Sequence, residues 1–98
     1  MANELRLEHF SELQGRRFTV QLDDGAALQA ELVEARALPA PPFEGRHPFT
    51  LLFKGPATPL LPQRIYRLQH EAEAEPIDIF LVPVSADAAA VCYEAVFS

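Results

Sequence analysis

Apolar side chains recur at every second position in six separate stretches of this chain, and that spacing commits most of it to β-structure. Phe18, Val20 and Leu22 alternate with Arg17, Thr19 and Gln21, so the stretch 16–22 is read as a strand with one buried face. Asp23-Asp24-Gly25 supplies a turn, and Leu28, Ala30 and Leu32 resume the alternation, which makes 27–37 the second arm of a hairpin. Within that arm the apolar phase slips to Val33, Ala35 and Ala37, as an inserted bulge residue produces.

Proline divides the rest. Pro39, Pro41, Pro42 and Pro48, with Gly45 among them, remove backbone donors over ten residues and forbid regular pairing there, so 39–48 is the longest expected loop. Phe49, Leu51 and Phe53 define a third strand over 48–54, closed by Gly55-Pro56 and a stiff connection to Pro62. A fourth strand over 64–70 places Tyr66, Leu68 and His70 on its core face. After the solvated run Glu71-Ala72-Glu73-Ala74-Glu75, the stretch 77–84 is the most apolar in the chain and is expected to be central. A Ser85-Ala86-Asp87 turn leads to the last strand, 90–97, with Val91, Tyr93, Ala95 and Phe97 inward.

One helix is expected, over 7–14, where Leu7, Phe10 and Leu13 recur every three residues and Gly15 can end the turn with positive φ. Its apolar stripe would cover an open end or face of the β core. Six strands at this spacing, with one short helix before them, predict an all-β antiparallel domain spanning 1–98, closed as a small barrel or stacked as a two-sheet sandwich.

The formal net charge of −6 repels phosphate backbones and anionic lipid, so neither nucleic acid nor a membrane surface is an expected partner. No apolar run approaches the roughly 20 residues that span a bilayer, and the first residues contain no apolar signal core; a cytoplasmic location is the resulting expectation. The lone Cys92 has no partner for an internal disulfide, and its apolar neighbours Val91 and Tyr93 make a small buried hydrophobe the expected reading.

No constellation carries recognisable chemistry. His9, His47 and His70 are scattered, without the spacing of a metal motif. Ser11, His9 and Glu12 hold the residue types of a hydrolytic triad, but a short helix points them in different directions. Asp23-Asp24 lacks the alternating oxygen ligands of a calcium loop. Arg16-Arg17, and Arg64 with Arg67, are expected to form surface ion pairs. No catalytic, cofactor-binding or metal-ligating residue is therefore assigned.

Several phrases together carry a resemblance: Leu7-Glu8-His9-Phe10 with Leu13-Gln14-Gly15, Phe49 to Pro56, Leu61-Pro62-Gln63 leading to Tyr66-Arg67-Leu68, Phe80 to Val84, and Tyr93 to Phe97. As a set they resemble a family of small bacterial proteins known as a domain of unknown function. The resemblance supports the fold, brings no catalytic residue with it, and implies a role in an assembly of the phage-tail-like kind. Two functions follow as expectations. The first is an interaction or assembly module that docks a protein partner, or a second copy, through strand edges or the rigid loops at 39–48 and 56–62. The second is a small-ligand-binding barrel with a cavity near Tyr66, His70 or Tyr93.

Overall fold

The computed structural model describes residues 10–22, 25–39, 48–70 and 76–97. Six strands follow in chain order: β1 (Arg17–Gln21), β2 (Ala27–Ala37), β3 (Phe49–Pro56), β4 (Arg64–Gln69), β5 (Ile77–Ala86) and β6 (Ala90–Phe97). They close into a barrel in the order β1-β2-β3-β6-β5-β4, every neighbouring pair antiparallel. The choice between barrel and sandwich is settled by the seam where Thr19, Val20 and Gln21 of β1 face Gln69, Leu68 and Arg67 of β4. The ring consists of two three-stranded meanders, β1-β2-β3 and β4-β5-β6, joined through residues 57–63, which include a cis Thr58-Pro59 bond.

Each meander bends at its middle strand. In β2 the register jumps between Leu32 and Glu34, so Val33 is the extra residue and stands outside while Leu32 and Ala35 both reach the core side. The bulge lies where the phase slip places it, but Val33 itself is not inward. A second bulge in β5, between Pro83 and Ser85, puts Val84 outside and carries the strand two residues beyond its expected end at 84. Likewise β3 runs through Gly55 and Pro56, which were expected to end it. Pro56 falls opposite Ala90 at the last rung, where a missing N–H does little harm. In a closed ring no strand is central, so β5 has neighbours like any other.

The interior is filled by the inward sets of all six strands, among them Phe18, Val20, Leu32, Leu51, Phe53, Leu68, Ile79, Leu81, Val91 and Tyr93. Of the expected helix, residues 7–9 lie outside the described residues; Phe10 and Ser11 are helical and 12–15 form a turn. Gly15 ends that turn at φ 85, a left-handed conformation that costs a residue without Cβ little. Its N–H donates to Leu32 O at 2.7 Å, and the Gln14 side-chain oxygen accepts from Ala35 N at 2.7 Å, just beyond the bulge. The segment is thereby fastened along β2, with Phe10 fully buried.

The β5–β6 turn is built on Asp87 rather than on Ser85 and Ala86, which belong to β5. Its carboxylate accepts from Ala89 N at 2.8 Å and Ala90 N at 2.9 Å. Those two backbone donors, Ala89 foremost, lower its pKa, and the charge of Lys54 adds to the effect. A depressed folded-state pKa stabilises the fold fully above the ordinary carboxylate value of about 3.9, and the contribution disappears as pH falls through the lower folded value. Replacing Asp87 with Asn keeps an acceptor oxygen but removes the titration. The expected outcome is a shallower acid limb in a denaturant-midpoint profile against pH; an unchanged slope contradicts the assignment.

Candidate functional site

Of the three residues named for a ligand cavity, His70 lines a polar cleft where β1 meets β2 and β4, and Tyr66 and Tyr93 are engaged elsewhere. Tyr66 and Tyr93 serve the connection between the meanders: the Tyr66 hydroxyl donates to Pro62 O at 2.6 Å, and the Tyr93 hydroxyl accepts from Leu61 N at 3.0 Å. Leu61, held by these contacts, is buried under that end of the barrel. His70 lies at the far end of β4 from Tyr66, buried, its ring 5.2 Å from that of Phe18. The stiff loop 56–62 buries Leu61 against the barrel and leaves Leu60 exposed. Residues 40–47 of the other proline loop lie outside the described residues, as do His9, His47, Asp23 and Asp24.

Closure also removes the expected strand edges, since every strand has a partner on each side. Among the described residues, two features of the outer faces are distinctive. On β4 and β5, Ile65 stands directly opposite Phe80, both pointing out, 62% and 49% exposed. Val96 on β6 is 60% exposed, and Val84 at the bulge is exposed as well. Apolar residues therefore occupy positions where alternation normally places polar ones.

The second feature is a polar cleft of about 420 Å³ where β1 meets β2 and β4, lined by Arg16, Arg17, Thr19, Gln29, Gln69 and His70, with Gly15 at its rim. Gln29 Nε2 donates to Thr19 Oγ1 at 3.0 Å across it. A smaller groove of about 210 Å³ continues from Arg17 and Gln29 toward Glu31, Lys54 and Ala90. Sequence reading expected surface ion pairs for the basic residues here. That holds for Arg67, which meets Asp78 at 3.3 Å, and not for Arg16 or Arg17, which make no side-chain ion pair among the described residues.

Cys92 corrects a further expectation. It is half-buried on the outer face of β6, between Lys54 and Ser85, because Val91 and Tyr93 take the inward positions on either side. Among the described residues no group of three His, Cys, Asp or Glu side chains comes together, and no helix is long and apolar enough to cross a membrane.

A model of the family DUF6916, a domain of unknown function, matches residues 5–97. The chain belongs to that family. The DUF6916 match takes in all six strands and the segment that carries Phe10, so the capped barrel as a whole falls within it. No curated protein and no solved structure matches the chain.

Proposed function

We propose that this DUF6916 protein is a cytoplasmic, non-enzymatic interaction module that docks a protein partner through the outer face of β4, β5 and β6. The observation that carries this reading is the outward pair Ile65 and Phe80, with Val96 on the adjoining strand β6. Covering such a set with another surface removes apolar area from water and is favourable, and contiguous exposed apolar patches mark contact sites. The resemblance to a family of small bacterial proteins of unknown function suggests a phage-tail-like assembly as the setting. Single buried aromatic and aliphatic anchors dominate the affinity of such contacts, so Phe80 is the side chain expected to matter most.

The test is the double variant I65D/F80D. Both side chains point outward, so the barrel should fold with unchanged circular dichroism. Wild-type protein should co-purify with a partner from its host, or self-associate on sizing at micromolar concentration, and the variant should weaken that association at least about tenfold. A wild-type protein that stays solitary in both experiments, or a variant that binds as well as the wild type, overturns the proposal.

A further inference from the structure

We infer that the cleft at the β1–β2–β4 junction binds a small, multiply charged oxyanion, a ligand carrying a phosphate group or two carboxylates. The lining has one chemical character. Arg16 and Arg17 bring guanidinium groups, Gln29 and Gln69 amides, Thr19 a hydroxyl and His70 an imidazole, and among the described residues no carboxylate lines it. Every one of those groups can donate a hydrogen bond. Thr19 Oγ1 already accepts from Gln29 Nε2, which leaves the Thr19 proton available to a ligand and holds both side chains in place.

The distribution of charge points the same way. Arg36 is bound to Glu34 at 2.9 Å, Arg67 to Asp78 at 3.3 Å, and Arg64 lies 5.4 Å above the Tyr66 ring. Arg16 and Arg17, by contrast, make no ion pair among the described residues, and they are adjacent in the chain and both line the cleft. Two guanidinium groups adjacent in sequence, neither ion-paired among the described residues although Glu31 stands opposite Arg17 on β2, concentrate positive charge on an acidic protein, and guanidinium geometry suits the bidentate grip of phosphate or carboxylate. A volume of about 420 Å³ lies within the range of roughly 300–1,000 Å³ typical of small-molecule sites, and the adjoining groove is lined by Lys54 and Glu31 together. This site is separate from the apolar face of β4, β5 and β6, and it stands or falls independently of that face.

The experiment is an amide-resolved NMR titration of the intact chain with pyrophosphate and, in parallel, with citrate. Either probe should shift the Thr19, Gln29 and Gln69 signals saturably below about 1 mM, and rising salt should weaken binding as the charges are screened. The tighter of the two identifies the ligand as a phosphate compound or a polycarboxylate. R16Q/R17Q should reduce the affinity at least about tenfold, whereas R36Q, whose side chain is engaged with Glu34, should leave it unchanged. Because Arg16 and Arg17 are exposed, their spectrum away from the cleft should match the wild type. Absence of saturable shifts with both probes, or equal weakening by R36Q and R16Q/R17Q, overturns the inference.

Discussion

Replacing Phe10 with alanine is expected to destabilise the barrel by about 3–5 kcal/mol, as large a loss as any core truncation, although the residue precedes the first strand. Its ring is fully buried at one end of the barrel, with centroids 6.0 Å from Phe49 and 5.9 Å from Phe97. Those two rings face each other across the β3–β6 register and stack at 4.7 Å, so the backbone ladder fixes both and neither can move into the vacated space. The loss therefore includes a cavity as well as the transfer free energy of the ring. Urea denaturation followed by far-ultraviolet circular dichroism measures it, against a total stability of about 5–15 kcal/mol for a domain of this size. A loss below about 1 kcal/mol would mean that the segment before β1 lies on the barrel without supporting it.

The second large effect is expected at Tyr93, where one side chain does two separable things. Tyr93→Ala removes a fully buried ring and should cost about 3–5 kcal/mol. Tyr93→Phe keeps the ring and removes only the oxygen that accepts from Leu61 N, leaving a buried N–H without a partner, which costs about 1–3 kcal/mol. The phenylalanine variant should also loosen residues 57–63 specifically, seen as faster hydrogen exchange at Leu61 while amides in β6 keep their protection. Equal stability of Tyr93→Phe and wild type would show that the connection is held by Leu61 burial and the Tyr66–Pro62 bond alone.

What alternation could express was readable from the sequence, and what depended on closure was not. The β2 bulge left a trace because polar and apolar residues exchange faces across Val33. The β5 bulge left none, because Val82, Pro83 and Val84 are all apolar and a phase slip among them is invisible. Inward residues such as Tyr66, Leu68 and His70 were legible from the same period of two. The apolar neighbours of Cys92 suggest a buried thiol, but the alternation set by Val91 and Tyr93 turns it to the outer face. The cleft was illegible for a different reason. Arg17 and Thr19, Gln29 and Gln69 belong to three strands, and each reads alone as an ordinary solvated residue until the β1–β4 seam makes them neighbours. The Ile65–Phe80 pair could have been flagged, since both are large apolar residues on the polar phase of their strands.

The division of the ring into two meanders also governs how quickly it can form. Hairpin contacts within β1-β2-β3 or β4-β5-β6 join residues close in sequence, but the two seams that complete the ring, β1 with β4 and β3 with β6, join opposite halves of the polypeptide. Most of the loop-closure entropy must be spent before either seam yields any hydrogen bond, which places the chain among slow, high-contact-order folders with millisecond-to-second kinetics. Until then each half presents unpaired strand borders to its surroundings, so the nascent chain is far more prone to intermolecular pairing than the finished ring.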